Sequence, residues 1–222
     1  MAEFDGPAGT LFVKLGAATL GNPLPALSAV ARAGELKAAA QMAKTLVKGL
    51  GKLAAAPPGS DPMGTKHDAL LAAAEATFSK QYLAAVDAAL KKGGTAPLGA
   101  ADESAAETSL VSGLQMQVDT LTAGEDANNP ADRKLRGALI AALAAETSAD
   151  FQAWAQDAKQ PDSAKLDAAL AKSSVKLTAA VGKAISAATT KGVTYGGPDA
   201  TGISDAETDF VNTFVDLTLN GE

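Results

Sequence analysis

The sequence predicts a mainly α protein made of two similar helical units, with an N-terminal arm and possible short strands. Three observations lead to this prediction. Apolar residues recur at three- and four-residue steps, capping and stop signals border those segments, and one set of residues recurs about 99 positions later. The recurring set matches Pro62, Lys66, Asp68, Ala69, Leu71 and Ala72 with Pro161, Lys165, Asp167, Ala168, Leu170 and Ala171.

The recurrence indicates an internal duplication, because two copies of one segment fold into two similar units. A chain of 222 residues has room for two domains of roughly 100 residues each. We assign the first helical repeat to residues 31–127 and the second to residues 128–222, with their junction in the loop at residues 124–130. Residues 1–30 have no counterpart in the second half and form the predicted arm.

The N-terminal arm is rich in Gly and Pro and contains one short apolar run at residues 11–15. Three interpretations stay open for it: a loosely packed terminus, an arm that docks on a neighbouring subunit, and an edge strand of the fold. In the docked arrangement, Phe12 and Val13 are the candidate contact residues.

The first helix is predicted over residues 35–56, where an apolar stripe faces away from Lys44, Lys48 and Lys52. Such a basic amphipathic helix can lie on an anionic membrane, but a solvated lysine face is the interpretation we favour. Residues 133–159 form the corresponding helix of the second repeat. This helix carries Trp154, the only tryptophan, as a core anchor or a contact residue.

The second helix of each repeat ends on a clear stop signal. Residues 65–92 carry one apolar stripe, and cations at the C-terminus precede Gly93. The second copy ends in the same way before Gly192. Gly/Pro-rich loops follow, and short strands are possible at residues 193–195 and in the Val-Asp pairs at residues 118–119 and 215–216.

The third helix of each repeat is predicted to begin with a capping box. Ser104 with Glu107, and Ser204 with Glu207, each have the Ser-x-x-Glu spacing. In this motif the serine oxygen accepts from the glutamate amide, and the glutamate side chain accepts from the serine amide. We interpret the four residues as structural caps without a catalytic role.

The titratable residues favour a protein without enzymatic activity. The single histidine, His67, adjoins Asp68, but neighbouring helix residues point apart, so neither a hydrolytic triad nor a zinc site is predicted. The chain has no cysteine and no phosphate-binding glycine motif. We therefore predict no catalytic, cofactor or metal site. The spacing along the sequence does not indicate that the acidic side chains meet in one site. The candidates are Glu75, Glu107, Glu146 and Glu207.

Charge and hydropathy narrow the choice of partners. The net charge of −6 and the pI near 4.9 disfavour nucleic acid, because an acidic surface repels phosphates. No signal peptide and no apolar stretch of about 20 residues is found, so a membrane partner is not expected. We expect a soluble protein, in the cytoplasm or in an assembled particle such as a virion.

The alanine-rich composition favours a protein that works by association. Apolar residues make up 47% of the chain but aromatic residues only 4%, so each side chain buries little area at about 25 cal/mol per Å². Packing between repeats or with neighbouring subunits would supply the missing stability. We predict a structural or assembly protein that forms oligomers or larger assemblies, such as a component of a bacteriophage virion. The alternatives are a ligand-binding module with a pocket between the repeats and a lipid- or granule-coating protein.

Overall fold

All regular secondary structure in the described part of the chain is α-helical. The computed structural model describes residues 26–91 and 100–220, and within these ranges it contains six helices and no strand. The mainly α prediction is therefore confirmed. The helices are α1 Ala26–Ala55, α2 Thr65–Lys91, α3 Ala100–Thr122, α4 Pro130–Asp157, α5 Ser163–Thr189 and α6 Ala200–Asn220.

The first helix begins earlier than its apolar stripe predicts. Helix α1 starts at Ala26, so residues 26–30 belong to a helix and not to the arm. The reason is that buried alanines continue the stripe towards the N-terminus, at Ala29, Ala31 and Ala33. The apolar run at residues 11–15, with Phe12 and Val13, lies outside the described residues.

The possible strands within the described residues are wrong. Residues 193–195 form an irregular loop in which Val193 is buried. Val118 lies within α3 and Val215 lies within α6, each with its side chain in the core. Both Val-Asp pairs continue the helix. Burial of the two valine side chains on the core face of a helix outweighs the preference of valine for β-strands.

The capping-box prediction does not hold either. Helices α3 and α6 begin at Ala100 and Ala200, so Ser104 and Ser204 both lie within their helices, four residues after the start. Asp199 provides the capping contact of α6 instead, since its Oδ1 accepts from the Gly202 amide at 2.8 Å. The Gly/Pro loop ends at this aspartate, and the helix therefore starts before the serine.

Side chains in the other loops satisfy the first amides of their helices. The Asn129 side chain accepts from the Ala131 amide at 2.9 Å, and Pro130 occupies the first turn of α4. Asp162 accepts from the Lys165 amide at 3.1 Å at the start of α5.

The six helices divide into two sets of three with matching contacts. Helix α1 packs on α2 as α4 packs on α5, and the sets meet through α1 with α4 and through α3 with α6. Glycines permit a close crossing of α1 and α4: a Cβ on Gly137 would lie 2.8 Å from the Ala55 Cβ and 3.1 Å from the Gly51 carbonyl oxygen. An approximate twofold axis between the sets would give this arrangement.

Burial follows the sequence recurrence. Helix α2 buries four residues of its stripe, and α5 buries the residues 99 positions later. The duplication predicts such matching burial, and it stays a prediction. The matched residues are Ala74 with Ser173, Phe78 with Leu177, Tyr82 with Val181, and Ala89 with Ala188.

The core is continuous through both sets of helices. In the second set, Phe151 of α4 meets the rings of Phe210 and Phe214 of α6 edge to face, with ring centroids 6.2 and 5.3 Å apart. None of the six described helices has the length and apolar character that crossing a bilayer requires.

Candidate functional site

Three acidic side chains meet in the core of the second set of helices. Glu146 and Asp150 lie one turn apart on α4, and Glu207 reaches them from α6. One oxygen from each carboxyl group lies within 4.8 Å of the other two. The three side chains are 3%, 3% and 0% exposed, respectively. We call these residues the carboxylate cluster.

Hydroxyl groups surround the carboxylate cluster. Ser173 of α5 donates a short hydrogen bond to Asp150, and Ser204 of α6 donates to Glu146 Oε1 at 3.2 Å. The hydroxyls of Ser204 and Ser174 lie 2.7 Å apart. Three helices thus supply the oxygen atoms of this site.

Several buried oxygens of the site have no hydrogen-bonding partner of normal geometry. They include both carboxyl oxygens of Glu207, Oε2 of Glu146 and Oγ1 of Thr147. The Thr147 side chain is fully buried, and its hydroxyl faces Glu207. An unsatisfied buried polar group costs about 1–3 kcal/mol, so this concentration of orphan oxygens needs an explanation.

The pKa values of the carboxylate cluster are raised. Burial, followed by the charges of Asp150 and Glu146, raises the pKa of Glu207 to about 10. Burial and the charge of Asp150 raise the pKa of Glu146 to about 8, and burial also raises the pKa of Asp150. Within residues 26–91 and 100–220, no lysine or arginine forms a salt bridge with these carboxyl groups. Each carboxyl therefore needs a proton or an external cation.

The first set of helices is apolar at the positions that match the carboxylate cluster. The buried and exposed residues of α1 line up with those of α4, and those of α3 with those of α6. In this alignment four polar residues of the site take the place of buried apolar residues. The pairs are Met42 with Glu146, Leu46 with Asp150, Ala74 with Ser173, and Leu110 with Glu207.

Another buried acid lies in the first set of helices. Glu35 of α1 is 1% exposed, and neither of its oxygens has a hydrogen-bonding partner. Burial raises the pKa of Glu35 to about 7, against the opposing charge of Arg32. Leu139 occupies the matching position of α4. Glu35 is therefore a single buried acid outside the carboxylate cluster, and it can serve as a control for substitutions within the cluster.

The structure brings together two of the four acidic candidates from the sequence. Glu146 and Glu207 converge, whereas Glu107 lies near Glu75, is half-buried and accepts from Ser79 at 3.3 Å. The sequence interpretation missed Asp150, although an acid four residues after Glu146 is a detectable signal for a shared helix face.

The two remaining sequence candidates are placed as follows. His67 is half-buried, and its Nδ1 lies 3.4 Å from Asp68 Oδ1, a long contact between neighbouring side chains. Trp154 is half-buried and packs against the core, with its indole nitrogen buried and without a hydrogen-bonding partner. Neither residue contributes to the carboxylate cluster.

An open groove lies between α3 and α6, the third helices of the two sets. Its volume is about 440 Å³, and Leu121, Ile203 and Phe210 contribute apolar surface to it. Met116 stands at this groove with 63% of its surface exposed. The Gln117 side chain joins the two helices by donating to the Ala206 carbonyl at 2.7 Å. We call this feature the apolar groove.

Comparisons of the chain with protein-family models, with curated proteins and with solved structures find no match. The function must therefore be inferred from the apolar groove and the carboxylate cluster themselves.

Proposed function

We propose that the chain is a non-enzymatic structural protein that acts through contacts with other protein subunits, in a large symmetric particle such as a bacteriophage virion. The observation that carries this proposal is the apolar groove between α3 and α6, with the exposed Met116 beside it. Apolar surface of this kind marks sites where proteins associate. Methionine suits such a surface, because its flexible side chain adapts to the partner.

A second copy of this chain is the occupant that the groove favours. Helices α3 and α6 are the third members of two sets with matching contacts. The groove between them is one apolar patch. Such a patch can pack on the same patch of another copy, which gives a closed twofold interface. In that interface, Met116 would lie near the twofold axis, beside Phe210 and close to Met116 of the other copy.

The proposal is tested by placing a charge in the groove. Met116→Asp is expected to shift the assembly of the full chain towards the 22.1 kDa monomer, because an unpaired carboxylate is costly at an apolar interface. Val175→Asp is the matched control, since Val175 is 70% exposed on α5 and lies outside the groove. Light scattering coupled to size-exclusion chromatography measures both masses. Equal masses for wild type and Met116→Asp would refute the groove as the contact.

A small apolar ligand is the second candidate occupant of the groove. Its volume of about 440 Å³ falls in the range of small-molecule sites. Thermal unfolding of the wild type and of Gly113→Ala with a panel of apolar metabolites distinguishes this alternative. A Cβ on Gly113 would lie 2.0 Å from the Phe210 ring and would displace it, so ligand stabilisation should be lost in that variant.

The lipid-coating alternative lacks support. The apolar stripe of α1, including Leu36, Leu46 and Leu50, is buried within the core. Helix α1 packs on α2 and α4, while its lysines remain exposed. Its apolar face is therefore used for folding, and a lipid surface could reach it only after the helices separate.

A further inference from the structure

We propose that the carboxylate cluster of Glu146, Asp150 and Glu207 binds a hard divalent cation of the size of calcium. Every donor in the site is an oxygen atom, from carboxyl groups and from hydroxyls. Calcium and magnesium prefer oxygen donors, whereas zinc and copper prefer nitrogen and sulfur ligands. The sequence alone predicts no metal site, because these residues converge only in the folded chain.

The spacing and number of the oxygens fit calcium. Calcium binds six to eight oxygens at about 2.3–2.6 Å, so two of its ligands can lie as far as about 5 Å apart. One oxygen from each of the three carboxyl groups lies within 4.8 Å of the others. The second carboxyl oxygens are further candidate donors, and the hydroxyls of Ser173, Ser204 and Thr147 each contact one of the three carboxyl groups.

The orphan oxygens point to a ligand independently of the acidic composition. The Thr147 hydroxyl is fully buried, faces Glu207 and makes no hydrogen bond of normal geometry. Both oxygens of Glu207 are also buried, and although its carboxyl group lies against Asp150 and Thr147, neither oxygen makes a hydrogen bond of normal geometry. Thr147 matches Ala43 of α1, so the hydroxyl is not required for packing at this place in the fold. A cation would satisfy all of these atoms at once.

The surrounding donors favour ionised carboxyl groups. Ser173 and Ser204 donate hydrogen bonds to Asp150 and Glu146, and such bonds stabilise the carboxylate form. Three carboxylates without a nearby lysine or arginine strongly repel each other in a buried site. A divalent cation would offset most of this charge.

Cation binding would be coupled to proton release. A carboxyl group must be deprotonated to bind a cation, so binding releases any protons that the ligands hold. The apparent affinity should therefore rise as the pH increases from 5.5 to 8.

The test uses the full chain after treatment with EDTA, with calcium chloride as the probe. Millimolar calcium is expected to raise the melting temperature by about 5 °C or more at pH 8 and by much less at pH 5.5. Equilibrium dialysis with metal analysis should find one calcium ion per chain of the wild type. Absence of both effects at pH 8 would overturn the proposal, as would a response to magnesium or manganese but not to calcium.

Two variants separate this site from weak binding at the acidic surface. Glu207→Leu introduces the residue that the first set of helices has at the matching position, Leu110. Glu207→Gln keeps the shape of the side chain and removes its charge. Both should lose at least ten-fold in calcium affinity while keeping the helical circular dichroism signal. Glu35→Leu, at the buried acid outside the cluster, should bind calcium like the wild type. Calcium binding that survives Glu207→Gln unchanged would refute the assignment.

Discussion

The strongest stability prediction concerns Glu207→Gln in the absence of divalent cations. Glu207 is fully buried, and its pKa is raised from 4.5 to about 10 in the folded protein. Folding at neutral pH therefore requires this carboxyl group to take up a proton. For a group with a raised pKa, the stabilisation is fully present below the unfolded pKa and is lost as the pH rises towards the folded value. Glutamine has no proton to take up, and so its contribution does not vary with pH.

The magnitude follows from the pH interval. Each pH unit above 4.5 costs the wild type about 1.4 kcal/mol through Glu207, until the folded pKa is reached. At pH 7 this cost is about 3 kcal/mol. Glu207→Gln should therefore be more stable than the wild type by about 3 kcal/mol at pH 7 and equally stable near pH 4.5. For a chain of 222 residues, the gain corresponds to roughly 6–12 °C in melting temperature.

The assay is urea unfolding in EDTA, followed by circular dichroism at several pH values between 4.5 and 8. The slope of the unfolding free energy against pH should be less negative in Glu207→Gln by about 1.4 kcal/mol per unit. Glu146 keeps its own pKa shift, so part of the slope remains. Asp167→Asn, at an exposed acid of α5, should leave the slope unchanged. Equal slopes for Glu207→Gln and the wild type would refute the burial of an uncompensated carboxyl group.

Three further predictions concern packing and capping. Gly137→Ala should cost about 1–3 kcal/mol in urea unfolding, because its Cβ would lie 2.8 Å from a side-chain carbon of α1. Gly182→Ala, with no atom within 4 Å of its Cβ, should instead stabilise the protein by about 0.5–1 kcal/mol, because alanine favours the helix more than glycine does. Equal effects of the two substitutions would contradict the crossing. Asp199→Ala should lower the free energy of unfolding by about 1 kcal/mol, because it removes the capping contact of α6, and Ser104→Ala should lower it much less. A larger loss for Ser104→Ala in thermal unfolding would support the capping box that the sequence predicts. Phe151→Ala should cost about 3–5 kcal/mol, and a loss below 1 kcal/mol would contradict its edge-to-face packing.

Local periodicity made the helices predictable from the sequence. The stripe at residues 65–92 and its stop signal match α2, Thr65–Lys91, to within one residue. Helix α1 was predicted too short, because the alanines before Glu35 carry little hydropathy contrast although they are buried. Alanine is small enough to pack at close crossings, so an alanine face can be buried without an obvious stripe.

The caps and the carboxylate cluster were harder to predict for physical reasons. Ser204 and Glu207 have the spacing of a capping box, yet the loop aspartate Asp199 competes for the same role and starts the helix earlier. Glu207 then points into the core, towards Glu146 and Asp150. This convergence depends on how α4 and α6 cross, and residue spacing along the chain carries little information about such a crossing.

The most direct measurement of the proposed function is disulfide cross-linking of Met116→Cys. The chain has no native cysteine, so the introduced thiol can pair only with another copy. A residue near a twofold axis lies close to itself across the interface. Under mild oxidation, Met116→Cys should give a covalent dimer at twice the chain mass of 22.1 kDa, while Val175→Cys should stay largely monomeric. Equal or absent cross-linking in the two variants would contradict association through the apolar groove.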